Sequence, residues 1–409
     1  RKRFLWTIFL VAIFRIGIHI PVPGIDTSYL SSMTNSGGLL GFYNLISGGA
    51  LSKFSIFALS VSPYINASII VQLLTIAIPS LEQLSKEGEE GRKKIQSITR
   101  YVSIGIACVL ALGVYSTIAN LGATSGVGTL EKIVVIFSLV VGSTFCMWLG
   151  DQITQKGFGN GVSILIFVNI VSQIPSTVNS VYTLKTAGEI SIIEILLFLV
   201  GVIALLAVTI FFSLAERRVP IQYAGKAVGS KVMKGQSTHI PLSIIGSAVI
   251  AIIFAMSVMM FPTTIAAFFP SKGWASWITS SKYSIFNTGT WMYPVCYAVL
   301  TVFFTWFYTQ ITFKPDEMAE NLHKSAGFVP GIRPGEATEK YFEKLLTKVS
   351  IIGGLFAAFL AVTPILVGKY ISGVQFGGTS LLILIGVALD FSRQLDSQLV
   401  MRHYDGFLK

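Results

Sequence analysis

The chain has 409 residues, 53% of them apolar and only 12% charged, where an ordinary soluble domain carries about a quarter charged residues. A mean hydropathy of +0.72 over that length excludes a soluble enzyme and a chain with a single anchor, and predicts an all-α polytopic membrane protein. The net charge of +11 reads as basic loops held on one side of a membrane, so no specific DNA partner is expected.

In chain order, the first apolar run covers about 4–21, behind Arg1, Lys2 and Arg3. It could pass for a secretory signal, but it lacks an A-x-A-like cleavage site and Arg15 lies within it. It is therefore expected to be a retained span, with Arg1 lying inside a longer natural sequence. Residues 39–52 (LLGFYNLISGGALS) are apolar but too short and too rich in Gly to cross a bilayer. Such a segment must be re-entrant or packed inside protein. Nine further runs of spanning length follow at about 55–79, 96–119, 131–150, 161–182, 190–214, 241–268, 290–313, 348–367 and 375–392, which makes ten spans. Long polar loops fall at about 80–95, 215–240 and 314–347.

Of the 30 Lys and Arg, 23 fall on one side of this topology and six on the other, with Arg15 inside a span. That asymmetry predicts both termini and the long loops on the cytoplasmic side of a multi-pass membrane protein. Ten spans divide into two five-helix halves, 1–183 and 184–409, and an odd number per half makes them inverted.

Chemistry is conspicuously sparse. The chain has no HExxH, GxSxG or GxxxxGK[ST] motif, its four His are scattered, and Gly157–Gly161 (GFGNG) has no phosphate-binding pattern. Cys108, Cys146 and Cys296 lie far apart in apolar runs, so neither a disulfide framework nor a metal site is signalled. No cofactor is expected, and any energy must come from a partner. A small-solute secondary transporter, the alternative reading, would place ionisable groups in mid-span. The candidates are Arg15, Asp151, Glu194 and Asp390, and the last three sit near span ends. An intramembrane hydrolase is disfavoured by the missing catalytic pairs.

Five stretches carry a resemblance: SGGALSKFSIFALSVSPYINASIIVQLL (Ser47–Leu74), EGEEGRKKIQSITRY (Glu87–Tyr101), WLGDQITQKGFGNGVSILIF (Trp148–Phe167), AENLHKSAGFVPGIRPGEATEKY (Ala319–Tyr341) and FGGTSLLILIGVALDFSRQLDSQLVMRHYDGFLK (Phe376–Lys409). In this order they resemble the SecY family of protein-conducting channels over almost the whole chain. The resemblance implies two inverted five-helix halves around an hourglass pore, closed from outside by a short re-entrant plug. It also implies passage of unfolded polypeptide across the membrane and sideways release of apolar segments into membrane lipids. The partners it implies are the small membrane subunits SecE and SecG, the SecA ATPase or the ribosome as motor, and signal-sequence-bearing preproteins.

Carried onto this sequence, the pore ring falls on Val61, Ile65, Ile166, Ile170, Ile253 and Thr363. A collar for arbitrary polypeptide must be apolar and deformable and must dewet when empty. The pairs Val61/Ile65 and Ile166/Ile170 are each four apart, on one helix face. At Thr363, where an aliphatic residue is usual, the hydroxyl is expected to weaken the seal slightly. The plug maps to about 39–51, with Gly41, Tyr43, Leu45, Ile46, Gly48 and Gly49. The lateral gate maps to Gln72 and Ile245; Ile245 replaces a usual Asn and Ala251 a usual Pro, implying a more apolar, straighter seventh span. The docking surface falls on Arg217, Arg218, Lys226, Lys231, Lys234 and Arg333, and Arg333 matches an Arg needed for coupling in the family. Around Arg333, in Gly327–Glu336 (GFVPGIRPGE), two Pro and three Gly predict a stiff, tightly turned tip that holds the guanidinium out.

Overall fold

The computed structural model describes residues 2–23, 44, 47–120, 128–186, 188, 191–223, 227–228, 231–232, 237–246, 248–268, 272–287, 289–370, 380, 383–389 and 391–392. The described chain is mostly helical. Helix α1 (Lys2–Gly17) leads into a buried, irregular segment at 47–61 that is tied back to it. The Val22 amide donates to the Phe54 carbonyl at 2.9 Å, and the Ile56 amide to the Ile20 carbonyl at 3.1 Å. Helix α2 runs from Ser62 to Ala77, starting later than the apolar run at 55 because residues 47–61 are used as packed turns.

Ile78 ends α2. It precedes Pro79, whose ring crowds the residue before it out of the helical region, and it is extended, at φ −110° and ψ 112°. The chain resumes as α3 (Pro79–Lys86), bent 102° from α2. Next come α4 (Glu89–Asn120), α5 (Thr129–Lys156), α6 (Gly161–Thr186) and α7 (Ile192–Leu214). Two of these starts are capped by their own sequence. The Glu131 carboxylate accepts from the Gly128 amide at 3.0 Å, and Glu194 accepts from the Ser191 amide at 2.9 Å in an S-x-x-E capping box.

After α7 the backbone changes period. Strand β1 (Glu216–Tyr223) alternates, with Val219 and Ile221 buried and Arg217, Arg218, Pro220 and Gln222 exposed. A short hairpin of β2 (Ala227–Val228) and β3 (Lys231–Val232) follows, then β4 (Ser237–Ser243). The register Val219↔Ile240 joins β1 antiparallel to β4. Helix α8 covers Ala248–Phe268, so the apolar run beginning at 241 is not all helix; its first residues are taken by pairing with β1. Then come α9 (Gly273–Ser280), α10 (Met292–Phe313), α11 (Pro315–Lys324), β5 (Gly327–Phe328) and α12 (Glu336–Tyr370). Among the described residues, six helices are long and apolar enough to cross a membrane, or up to seven if the bent pair α2–α3 is one span. In α7 few of the apolar side chains are fully buried, an exposure that suits lipid rather than water.

The chain forms two compact units. The first comprises Arg1–Leu196, Ser257–Tyr293 and Leu366–Lys409. In it α2 packs on α4, α4 on α5, α5 on α6, and α1 on both α5 and α6. Its main core joins Leu51, Phe54, Ala58 and Leu59 of the irregular segment to Ala111 and Ile118 of α4 and Val135 and Leu139 of α5. The second comprises Leu197–Met256 and Pro294–Ile365. Its sheet has the order β4-β1-β5, and one face covers a core with α11 and the start of α12.

Candidate functional site

Arg333 stands on a built foundation. Residues Gly327 and Phe328 add β5 to the edge of β1, opposite Tyr223 and Gln222. Val329 then drops into the core with Val219, Ile221, Leu242, Ala319, Leu322, Phe342 and Leu346, and Ile332 packs against it from the rim. Between these anchors Gly331 takes φ +81°, and Gly335 takes φ +100° just before α12, conformations that favour glycine. The Thr338 hydroxyl donates to the Arg333 carbonyl at 2.8 Å, tying the tip to the first turn of α12. The Arg333 side chain is exposed. Thus the two long loops at 215–240 and 314–347, separate in sequence, share one core.

Arg217 and Arg218 lie on β1 of the same sheet and are exposed. Lys231 is in β3, while Lys226 and Lys234 lie outside the described residues. Backbone pairing thus puts Arg217, Arg218 and Arg333 on one small α/β module. The bent, strand-rich scaffold beneath them was missed in the sequence, where only alternation in Arg218–Gln222 (RVPIQ) and the i, i+4 pair Phe342/Leu346 signalled it.

The residues expected to ring a pore divide between the units. Val61 is fully buried at the start of α2, and Ile65 is half-buried one turn on. On α6, Ile166 and Ile170 are each 6% exposed. The neighbours of two of these meet directly: the Asn169 amide nitrogen donates to the Ser60 hydroxyl at 3.4 Å. Ile253 is half-buried on α8, and Thr363 lies on α12. The Thr363 hydroxyl donates to the Phe359 carbonyl of its own helix at 2.7 Å, so its proton is already used within the helix.

Of the plug residues, Gly41, Tyr43, Leu45 and Ile46 lie outside the described residues. Gly48 and Gly49 are described and buried. Gln72 is exposed on α2. Ile245 is 5% exposed, and it lies in the turn between β4 and α8, where its carbonyl accepts from the Ala248 amide at 2.9 Å. It is therefore not within the helix that the apolar run predicted.

Three of the four ionisable candidates have structural partners. Asp151 is buried on α5 and pairs with Arg100 of α4 at 2.6 Å, with Gln96 donating at 3.4 Å. Glu194 caps α7. Arg15 donates to the Ser172 hydroxyl at 2.9 Å and to the Gly48 carbonyl at 3.5 Å. Asp390 lies outside the described residues.

Comparison with known proteins gives a consistent result. The SecY family profile matches residues 55–392. The chain is 41% identical over 417 aligned positions to the protein translocase subunit SecY of Rickettsia typhi, covering 100% of this chain and 95% of that protein. Its fold is similar to a solved protein-conducting channel, with a TM-score of 0.69 at 17% identity over 98% of this chain and 92% of the other. A similar fold occurs in Sec61 of the canine ribosome-channel complex from the endoplasmic reticulum, with a TM-score of 0.63 at 17% identity over 98% and 92%.

Proposed function

The chain belongs to the SecY family, and from that premise we propose that it is the channel subunit of a protein translocase, passing unfolded secretory polypeptides across the cytoplasmic membrane. The family match over residues 55–392 carries this reading. In the finer reading, ten spans form two inverted halves, 1–183 and 184–409, with both termini cytoplasmic; the skew of Lys and Arg supports that orientation. Val61, Ile65, Ile166, Ile170, Ile253 and Thr363 form the collar, and segment 39–51 closes it. Gln72 and Ile245 border the seam through which apolar segments leave for lipid.

Arg333, with Arg217 and Arg218, receives the motor, either the SecA ATPase or a ribosome, and SecE and SecG complete the complex. Exposed guanidinium groups on a rigid module suit acidic protein patches and RNA phosphates alike. Reconstitution tests the proposal. Vesicles holding the purified complex should import an unfolded preprotein only with ATP and motor, and should take up no small solute against a gradient. Solute uptake without preprotein import would replace this reading with the transporter alternative.

A further inference from the structure

The connection between α8 and α10 presents an aromatic surface. Between residues 269 and 291 it carries Lys272 and Lys282 and no Asp or Glu. Trp274 and Trp277 of α9 are 46% and 53% exposed, Trp291 is 69% exposed and Tyr283 76%. Lys272 and Lys282 are exposed as well. In water, so many large rings on one short connection would invite aggregation.

The exposure does not come from a slack loop. Ser284 is fully buried, and its hydroxyl donates to the Ile278 carbonyl of α9 at 2.7 Å. The Thr290 hydroxyl donates to the Ser284 carbonyl at 3.0 Å and to the Asn287 carbonyl at 2.8 Å. The Asn287 side-chain amide donates to the Ser281 carbonyl at 3.3 Å. These bonds tie the end of α9 to Thr290, two residues before α10 begins. On α9 itself Ala275 is buried, whereas Trp274 and Trp277, three apart, share another face. The helix thus rests on protein through Ala275 and turns both indoles away.

The depth of this surface follows from α10. That helix is apolar and 22 residues long, or about 33 Å, which matches a hydrocarbon core of about 30 Å. Trp291 directly precedes it and so stands at one boundary of the bilayer. The tied connection carries the other three rings to the same boundary. Indole and phenol suit that layer, because each joins an apolar body to a polar edge. A lysine there can lay its stem on apolar groups and reach a phosphate with its ammonium.

We propose that α9 and its flanks form an interfacial anchor on the membrane face opposite the long basic loops. Trp274, Trp277, Tyr283 and Trp291 enter the boundary between lipid headgroups and acyl chains, and Lys272 and Lys282 hold phospholipid phosphates. The anchor fixes the depth at which α10 enters the membrane. The inference needs α10 to span a bilayer; it does not need the pore to carry polypeptide.

The test reads tryptophan fluorescence of the purified complex in vesicles of phosphatidylethanolamine and phosphatidylglycerol. Subtracting the variant that carries both Trp274→Phe and Trp277→Phe from the parent isolates the two indoles of α9. That component should be quenched most by phospholipid brominated near the top of the acyl chain. Bromine near the chain end should quench it less, and aqueous iodide only a little. Strong iodide quenching with none from brominated lipid puts α9 in water and overturns the anchor. Quenching strongest at the chain end puts α9 in hydrocarbon, and quenching by neither agent puts it behind protein; each of these also overturns the anchor. Lys282→Glu changes an exposed side chain, so it carries the test on total fluorescence if the Phe variant does not accumulate. An acid against the phosphates should lift the connection and raise iodide quenching, and parental quenching in this variant refutes the phosphate contact. None of these readings depends on import, so the expected quenching in vesicles that import no preprotein would sink the channel reading alone.

Discussion

Phe342→Ala probes the module beneath Arg333. Phe342 is fully buried, one of eight core residues drawn from β1, β4, α11, α12 and the tip. Truncating a buried Phe to Ala costs about 3–5 kcal/mol, through lost transfer energy and the cavity left behind. A core this small has few neighbours able to collapse into the hole, so the loss should appear as local opening. At about 1.4 kcal/mol per factor of ten, the open population rises about 140-fold to 3,700-fold. Hydrogen exchange in detergent micelles reads this directly. Amides of the β1–β4 ladder should lose protection by that factor, whereas those of α4 and α5, in the other unit, should not change. Arg333→Glu is the complement: the side chain is exposed, so exchange should match the parent while motor-driven import is abolished. Parental protection of β1 in Phe342→Ala would refute the shared core. Normal import by Arg333→Glu would refute the docking role.

Three further outcomes follow from the ionisable groups and the turn before α8. Asp151→Asn removes the carboxylate that Arg100 meets at 2.6 Å and should cost about 1–3 kcal/mol, seen as a lower Tm with import retained. Lost import at unchanged Tm would instead give Asp151 a transport role. Glu194→Ala removes the capping carboxylate of α7 and should cost about 0.3–1.5 kcal/mol without altering import at any membrane potential. A change in potential dependence would revive the transporter alternative. Ile245→Asn places an amide in a buried turn and should cost about 1–3 kcal/mol; an import that still requires the signal sequence as strictly as the parent does would sink a gating role for this position.

What the sequence made legible was the part governed by composition. Runs such as 131–150 and 190–214 became α5 and α7, because a long apolar stretch without Pro has only the helix in which to satisfy its backbone in lipid. The ends were less legible. The run read as starting at 348 belongs to a helix starting at Glu336, because Phe342 and Leu346 bury a face that composition alone marks as loop. The run read from 241 begins as strand, since Ile240 and Leu242 pair with β1 across a gap in sequence that no local signal spans. Site residues showed the same division. Arg333 was visible from its Pro and Gly flanks, but the partnership of Asn169 with Ser60 was not, because contacts 109 residues apart leave no local pattern.

Helix α12 has a mechanical consequence. It runs from Glu336, beside the Arg333 tip, to Tyr370, and it reaches Thr363 just before Pro364. At 1.5 Å per residue, Glu336 and Thr363 are about 40 Å apart along its axis. Phe342 and Leu346 lock the near end into the module core, so whatever grips Arg333 holds a handle rather than a tether. A tilt imposed there is also a tilt of Thr363, so leverage from the polar loops reaches the far part of the helix without any bound molecule crossing the distance.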